Sequence, residues 1–288
     1  MNALVLQSDF GLVDGAVSAM HGVSKQVCSD LEIYAITHEI PAYDIWSASY
    51  RLIQTISYWP KGTVFVSVVD PGVGSQRRSI AVKTKDGQYV VTPDNGTLSH
   101  LLHMDMIAEV RNIDEVKSRL PHSQESHTFH GRDIYAYNGA RLASGQVSFE
   151  ELGEVIANDS IEQLDIIDPV MKENSIVGAI DILDIRFGSL WTNISLEMLN
   201  EANIGKNDWV FVAIEHEGKR VYQNVMPFVR SFAQVEIGQP LVYVNSLTNL
   251  GVAVNQDSFS KLYHIGYGKG WTIRISKVSN EFLKLYVD

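Results

Sequence analysis

Cysteine is almost absent from this sequence of 288 residues, which contains only Cys28. A single cysteine excludes an intramolecular disulfide, a zinc cluster built from cysteines and a Cys-x-x-Cys redox centre. We expect Cys28 to be a buried, unreactive thiol, because a free cysteine usually packs like a small hydrophobic side chain.

Long hydrophobic runs are also missing. No apolar stretch approaches the length of about 20 residues that a membrane-spanning helix needs. The apolar stretch at the N-terminus is too short for the core of a signal peptide, and no basic region precedes it. We therefore predict a cytoplasmic, soluble protein.

Positive charge is scarce, with 23 Lys and Arg residues against 34 Asp and Glu residues and a net charge of -11. Nucleic acids and anionic membranes are bound through excess Lys and Arg, so neither is an expected partner. A small cationic ligand remains compatible with this charge. The length and the 45% hydrophobic content indicate a globular chain, more plausibly of two domains than of one.

The pattern of apolar residues changes along the chain and predicts two domains, over 1–168 and 175–288. The first half alternates β-branched strands with helices, which indicates an α/β domain with a largely parallel central sheet. We expect strands at 4–6, 32–36 and 63–69, a hairpin of 79–83 with 88–92, and helices at 16–27, 45–58, 96–103 and 134–144. Short strands at 175–182, 208–214, 241–244, 271–275 and 282–287 indicate an antiparallel β-barrel or sandwich.

The first polar motif, from Ser8 to Gly11, lies between a predicted strand and a predicted helix, where open α/β sheets bind ligands. Its glycines do not have the spacing of a phosphate-binding loop. Asp9 and Asp14 instead offer carboxylates for a ribose diol, a metal or an ammonium group. Alternatively, either aspartate caps the following helix.

A second motif, Asp70-Pro-Gly-Val-Gly74, directly follows a buried strand. Its glycines permit a tight turn that brings Arg77 back toward Asp70. A neighbouring positive charge would keep Asp70 ionised and able to bind a water molecule. The same residues would also suit a purely structural contact between Asp and Arg.

The third motif runs from Phe129 to Asp133. His130 is either a general base, a group that orients water, or a structural residue, and Asp133 is a candidate helix cap. His122, His127 and His130 lack the i, i+4 spacing of a helical zinc pair, so we predict no metal site.

Polar and aromatic residues also cluster in the second half, at 184–193, 243–246 and 254–256. Taken one by one, they are typical of turns and of core aromatics. Jointly, they suit a pocket with a stacking surface and backbone donors for a flat heterocycle.

In this order, the motifs resemble those of the S-adenosyl-L-methionine hydrolases, also called hydroxide adenosyltransferases, which are related to the bacterial fluorinase and chlorinase. The resemblance covers nearly the whole chain. It is carried by residues 8–11, 37–41, 69–74, 93–96, 129–133, 186–188 and 245–246.

The resemblance implies an N-terminal α/β domain, a C-terminal β-barrel and a homotrimer with substrate sites at the subunit interfaces. No cofactor is implied, since S-adenosyl-L-methionine is the substrate. The water would be handled by Asp70, Arg77 and His130.

The resemblance also implies the substrate contacts. Asp9 and Tyr43 would bind the ribose, Asp14 and Asp184 would face the methionine ammonium, and Tyr243 and Ser246 would hold the carboxylate and neighbouring atoms. The adenine would be bound by Phe187, Phe232, Ser189 and the backbone of Val254 and Gln256.

The chain departs from its relatives at three positions that touch ligand recognition. Ser189 replaces an Asn, Leu247 stands where some relatives have Arg, and Thr248 occupies a position often held by Gly. In the halogenases an uncharged residue takes the place of Asp70, because a carboxylate would repel a halide. Asp70 therefore favours water as the nucleophile.

Two other functions remain open at the level of sequence. One is a binding module for adenosine or S-adenosylmethionine without turnover. The other is a metal-dependent hydrolase that would use Asp9, Asp14, Asp70 and nearby histidines.

Overall fold

The computed structural model describes residues 2–279. The chain forms two compact units, the first ending at Leu164 and the second beginning at Asp165. The strand expected at 282–287 lies outside the described residues.

The first unit is built on a seven-stranded sheet with the order β2-β1-β3-β5-β4-β6-β7. The strands are β1 (Leu4–Ser8), β2 (Ile33–Thr37), β3 (Val64–Val68), β4 (Ser79–Thr84), β5 (Tyr89–Pro93), β6 (Ile107–Ile113) and β7 (Gly153–Ile156).

Five of these seven strands run in the same direction, because β2, β1, β3 and β5 pair in parallel and β6 is antiparallel to the reversed strand β4. Strand β7 is antiparallel to β6. The prediction of a largely parallel sheet is confirmed, although half of its strand pairs are antiparallel. The carboxyl ends of β1, β3 and β6 and the start of β4 consequently share one edge of the sheet.

The helices of this unit are α1 (Ala16–Val27), α2 (Ile45–Thr55), α3 (Ser99–His103) and α4 (Tyr137–Ser144). Short 3-10 turns occur at Ile56–Tyr58, Glu150–Leu152 and Asn158–Ser160. The first of these continues α2 to the end expected from the sequence. The helix expected over 134–144 begins earlier, as a π-helical turn at Gly131–Ala136, and continues as α4.

Helices cover both faces of the sheet, and the alternation of apolar residues along each strand decides which face a side chain meets. Leu4, Leu6 and Val66 pack with Met20 of α1 and Ala140 of α4. On the opposite face, apolar side chains of the sheet pack with those of α2 and α3, among them Val5, Phe65, Leu52 and Leu101. Such two-sided burial explains the continuous apolar runs in the strands.

Cys28, expected to be buried, is only partly so, and packs at the rim of the first of these two cores. It is a free thiol.

The second unit is an antiparallel β structure with the order β12-β11-β15-β9-β10-β14-β13, and β8 beside β9. Its strands are β8 (Val170–Lys172), β9 (Ser175–Asp184), β10 (Ser189–Ser195), β11 (Trp209–His216), β12 (Lys219–Pro227), β13 (Pro240–Val244), β14 (Asn249–Val254) and β15 (Trp271–Lys277). Two short helices, α5 (Leu196–Glu201) and α6 (Phe259–Tyr263), and a 3-10 turn at Phe232–Gln234 connect them.

The two ends of this sheet meet just after β12. The Val229 amide donates a hydrogen bond of 3.0 Å to the carbonyl oxygen of Val242, and Phe228 bridges the same residue of β13. The sheet is therefore a nearly closed barrel, which decides between the two β architectures that the sequence allowed. Its interior is filled by aliphatic and aromatic side chains such as Ile180, Val212 and Phe259.

Within the described part of the chain, no helix combines the length and apolarity needed to cross a membrane.

Gly139 allows α4 to pack closely on the sheet. A Cβ atom at this position would lie 2.3 Å from Cγ2 of Val66 and 3.2 Å from Cδ1 of Leu4. We expect Gly139→Ala to lower the free energy of unfolding by about 1–3 kcal/mol through overpacking, measured by urea denaturation. The control is Gly22→Ala in α1, where no atom lies within 4 Å and the helix should gain about 0.5–1 kcal/mol. Equal effects of the two substitutions would contradict this packing argument.

His100 makes the first unit sensitive to acid. Its ring is buried edge-on between Trp46 and Tyr50, and burial, followed by the nearby His103, lowers its pKa from 6.5 to about 4. Between these two pH values the unfolded chain binds a proton that the folded chain does not, so stability falls as the pH is lowered from 6.5 toward 4. We expect a weaker loss in His100→Gln, measured by urea denaturation at pH 7 and pH 5. An unchanged pH dependence would contradict the prediction.

Candidate active site

Asp70 lies at the carboxyl end of β3, one residue beyond the fully buried Val69. The chain then turns tightly, since the Val73 amide donates to the carbonyl of Asp70 and Gly74 has a positive φ of 77°. Few residues other than glycine adopt this backbone conformation without strain. The turn returns Arg77 to the edge of the sheet, as the sequence predicted.

Asp70 and Arg77 form a bidentate ion pair. Nε of Arg77 donates to Oδ1 of Asp70 at 2.8 Å, and Nη2 donates to Oδ2 at 2.5 Å. The two side chains are only 10% and 5% exposed for Arg77 and Asp70, respectively. Hydrogen bonds between charged groups in this paired geometry are strong and fix the planes of both groups.

The remaining edge of the Arg77 guanidinium contacts two further acceptors. Nη1 lies 3.2 Å from Oγ of Ser79 and 3.3 Å from Oε1 of Glu115, and the guanidinium stands over the Tyr135 ring at 5.6 Å. Burial alone would lower the pKa of Arg77, but its hydrogen bond to Asp70 and the nearby negative charges raise it. Arg77 is therefore a permanent cation in this cluster.

His130 is buried and immediately precedes the π-helical turn. Its position is set by packing behind it, where Phe10 meets Phe129 edge-on at 5.7 Å and a Cβ atom at Gly131 would lie 2.9 Å from the Phe10 ring. The first and third polar motifs of the sequence are thus in direct contact.

Both ring nitrogens of His130 face guanidinium groups. Nδ1 lies 2.9 Å from Nη2 of Arg77, and Nε2 lies 3.0 Å from Nη2 of Arg119. Burial lowers the pKa of His130 most strongly, and the two arginines lower it further against the opposing influence of Glu115 and Asp70. The imidazole is consequently neutral near pH 7.

The other polar residues near this motif have separate roles. Asp133, suggested as a helix cap, is fully buried, and its carboxylate accepts two hydrogen bonds from the Arg132 guanidinium, at 2.6 and 3.1 Å. His122 and His127 are exposed, unlike His130. Within residues 2–279, no group of three or more His, Cys, Asp or Glu side chains is arranged to hold a metal ion.

Asp9 and Asp14 are held by backbone amides near the carboxyl end of β1. The Tyr43 amide donates to Oδ2 of Asp9 at 2.9 Å, and Tyr43 itself has a positive φ of 69° and an exposed ring. Asp14 is exposed and accepts a hydrogen bond of 2.8 Å from the Ala16 amide. It is not the cap considered for it, because the N-cap position of α1 is Gly15 and has no side-chain cap. Asp9 joins the loops that follow β1 and β2.

The second unit contains a cleft of about 670 Å³ in its own surface. All eight residues that the sequence selected in this half of the chain line it: Asp184, Phe187, Ser189, Phe232, Tyr243, Ser246, Val254 and Gln256. Arg186, Trp191, Asn255, Asp257 and Ser258 complete the lining. The cleft combines aromatic faces with carboxylate and hydroxyl groups, as expected for a site that binds a polar heterocycle.

Gly251 creates space for the aromatic wall of this cleft. It lies between Trp191 and Tyr243 in the register of β10, β14 and β13, and a Cβ atom there would lie 2.6 Å from the Tyr243 ring. Above the glycine, Nε1 of Trp191 donates to the Tyr243 hydroxyl at 3.1 Å. Burial raises the pKa of Tyr243, so the phenol stays protonated.

The three departures from the family pattern have different positions. Ser189 is buried and lines the cleft, whereas Leu247 and Thr248 are not among the lining residues. Thr248 has a positive φ of 62°, which explains why glycine suits this position. Of the three substitutions, only Ser189 changes the surface of the cleft.

Sequence reasoning missed Glu115 and Arg119, because they belong to no recognisable motif. The one signal in the sequence is that Glu115 follows β6 by two residues, because the carboxyl ends of strands that run in the same direction meet at one edge of a sheet. This signal identifies Glu115 as a site residue only when the strand order is known, and the sequence does not provide that order.

Family models match both units of the chain. The SAM hydroxide adenosyltransferase N-terminal domain matches residues 4–153, and the SAM hydroxide adenosyltransferase C-terminal domain matches residues 178–272.

Individual relatives align with the chain over almost its full length. An (R)-S-adenosyl-L-methionine hydrolase of Methanocaldococcus jannaschii is 32% identical over 93% of this chain and 94% of its own. A fluorinase of Actinopolyspora mzabensis is 25% identical over 95% of this chain and 97% of its own. The crystal structure of an uncharacterized conserved protein from Thermotoga maritima superposes with a TM-score of 0.84 and 32% identity, covering 95% and 99% of the two chains.

Removing the Arg77 charge should destabilise the first unit, because Asp70 and Glu115 would keep their charges without the guanidinium. We expect Arg77→Met to lower the free energy of unfolding by about 3–5 kcal/mol, as found when one partner of a buried ion pair is removed. Arg220→Met is the control, since Arg220 pairs with Glu215 on the surface, where such pairs contribute about 0–1 kcal/mol. Similar losses in the two variants, measured by urea denaturation, would contradict the special role of the buried pair.

Proposed function

The chain belongs to the SAM hydroxide adenosyltransferase family, and from this premise we propose that it hydrolyses S-adenosyl-L-methionine to adenosine and L-methionine. The observation that carries the proposal is the buried cluster in which Asp70, Arg77 and His130 meet. A carboxylate at this place can hold a water molecule and repels a halide ion. It therefore favours hydrolysis over the halide chemistry of the fluorinase relatives.

The reaction is a displacement at the ribose C5′ atom. The water oxygen forms a bond to C5′ while the C5′–S bond breaks, and the electron pair of that bond stays on sulfur. Methionine leaves as a neutral thioether, and one proton is released from the water. Because the leaving group needs no proton, the protein has to place the nucleophile and accept its proton.

We assign the placing of the water to the three clustered residues. Asp70 accepts a hydrogen bond from the water, and Arg77 holds the carboxylate in its plane through the bidentate contact. His130 completes the orientation from its buried position beside Arg77. A nucleophile held in line with the breaking bond avoids much of the entropy loss of a bimolecular step, an effect that reaches about 7–11 kcal/mol in favourable cases.

The substrate contacts are proposed from the family pattern and from the lining of the cleft. Asp184 would attract the methionine ammonium, and Tyr243 and Ser246 would bind its carboxylate and neighbouring atoms. Phe187, Phe232 and Ser189 would contact the adenine, and the backbone of Val254 and Gln256 would read its edge. In the first unit, Asp9 and Tyr43 would bind the ribose and Asp14 the ammonium.

No cofactor is needed for this chemistry, because the sulfonium is already an activated leaving group. Attack on it removes the positive charge from sulfur, so a site closed to bulk water favours the less polar transition state. We accordingly propose a cofactor-free reaction. The test is full activity in the presence of a chelator, and activity that disappears and returns with a divalent ion would contradict it.

The assembly is also a proposal, based on the family resemblance. We propose a homotrimer with substrate sites at the subunit interfaces, an α/β domain that activates the water and a barrel that binds adenine and methionine. Light scattering after size exclusion should give three times the mass of the chain, and a monomeric mass in the active enzyme would contradict it. The cytoplasmic location remains a prediction.

Turnover of S-adenosyl-L-methionine can be followed by chromatography of adenosine and methionine. We expect Asp70→Ala to reduce kcat by about 10²–10⁴-fold, since it removes the acceptor for the water proton. His130→Ala should also reduce kcat by disordering the water, whereas the control Asp105→Asn removes only an exposed partner of Lys85. Unchanged turnover in both Asp70→Ala and His130→Ala would contradict the proposed function, and calorimetric binding without any product would indicate a binding module instead.

A further inference from the structure

His130 is surrounded by hydrogen-bond donors. Its two ring nitrogens lie 2.9 and 3.0 Å from guanidinium nitrogens of Arg77 and Arg119. An arginine only donates hydrogen bonds, whereas a neutral imidazole has a single lone pair on one ring nitrogen and a proton on the other. That lone pair is therefore already engaged by an arginine, whichever tautomer is present.

This arrangement makes His130 a poor proton acceptor. A second proton on the ring would leave it without an acceptor for either arginine. It would also place a third positive charge between two buried guanidiniums, whose side chains are 10% and 7% exposed. Like charges at this distance disfavour the charged form of a titratable group.

Glu115 contributes a negative charge beside both Arg77 and Arg119. Its Oε1 accepts a hydrogen bond from Ser79 at 2.6 Å and lies 3.3 Å from Nη1 of Arg77. Its Oε2 lies 3.8 Å from Nη2 of Arg119 and 3.8 Å from Nδ1 of His130. With Asp70 and Glu115 ionised and His130 neutral, two carboxylates balance two guanidiniums.

We propose that Arg119 and Glu115 are positioning residues that hold His130 in one neutral orientation, so that His130 orients the water indirectly, by fixing the pair of Arg77 and Asp70, while Asp70 accepts the proton of the water. Each Asp70 oxygen accepts one hydrogen bond from Arg77 and has a second lone pair free for the water. As the C5′–O bond forms, the attacking water becomes a protonated alcohol, which is a much stronger acid than a carboxylic acid. A carboxylate paired with arginine is basic enough to receive this proton.

The inference rests on the proposed function and assigns separate roles to Asp70 and His130 within the buried cluster. The charged and titratable groups that face His130 come from three segments. They are Asp70 and Arg77 from the turn after β3, Glu115 and Arg119 from the segment after β6, and His127 from the chain just before His130.

The first test asks whether His130 accepts the proton. Glutamine and asparagine place an amide near the positions of Nε2 and Nδ1, respectively, and can accept a hydrogen bond from arginine without taking up a proton. We expect the better of His130→Gln and His130→Asn to retain kcat within about tenfold of the wild type, whereas loss of a general base costs about 10²–10⁴-fold. A loss of about 10²-fold or more in both variants, with both proteins folded by circular dichroism, would overturn the proposal.

The second test measures the coupling directly, by an NMR titration of His130 that needs no turnover. The pKa of His130 should lie below 6.5 in the wild type, fall further in Glu115→Gln and rise in Arg119→Met. The control Glu109→Gln removes a carboxylate that pairs with Arg111 on β6 and should leave the titration unchanged. A titration that does not respond to Glu115→Gln, or that moves upward, would overturn the positioning role.

Turnover provides the remaining measurement. Misplacing a reacting group by about 1 Å can cost about 10²-fold, so we expect kcat of Glu115→Gln to fall by about 10–100-fold with KM changed much less. Wild-type kcat in this variant would overturn the proposal. If the wild-type protein itself produced no adenosine, the proposed function would fail, while the NMR titration would still decide the coupling of His130 to Glu115.

Discussion

The bidentate pair of Asp70 and Arg77 is the constraint on which the rest of the site depends. Removing two charges from water costs more than their mutual attraction restores unless every remaining donor and acceptor finds a partner. Arg77 uses its free edge for Ser79 and Glu115, and it meets His130 with the same nitrogen that binds Asp70. Removing Arg77 would therefore leave the carboxylates of Asp70 and Glu115 without their guanidinium partner.

The topology of the sheet explains how these residues come together. Asp70 follows β3 and Glu115 follows β6, two strands that point in the same direction, while Ser79 begins the reversed strand β4 between them. The reversal places the start of β4 at the edge where β3 and β6 end. A fully parallel sheet would have put Ser79 at the opposite edge, and the Arg77 guanidinium would have lost one of its acceptors.

The sequence was informative wherever a local pattern determines structure. Continuous β-branched runs located β3, and the hairpin expected from 79–83 and 88–92 is the pair of β4 and β5. The turn glycines correctly placed Arg77 beside Asp70. Local patterns of this kind depend on a few adjacent residues, so they are readable without knowledge of the fold.

Other features depend on residues that are distant in sequence, and these were not predictable. The chain on either side of His130 is placed by Phe129 and Gly131 packing against Phe10, more than a hundred residues away. The family pattern selected eight residues that line one cleft. Trp191 lies within the predicted cluster at 184–193 but was not singled out, because its role depends on the register that sets it beside Gly251. Glu115 and Arg119 were missed for the same reason, since only the order of the strands brings them to Arg77 and His130.

Charge balance connects the choice of nucleophile with the substrate. A cluster with two arginines alone would attract a halide and repel a sulfonium cation, whereas Asp70 and Glu115 cancel both positive charges. Water is neutral, so it enters such a cluster without an electrostatic penalty and is oriented by the fixed dipoles and charges around it. Protonation of His130 would restore a net positive charge and oppose the approach of the sulfonium. In the proposed reaction, a neutral His130 would therefore serve both the orientation of the water and the binding of a cationic substrate.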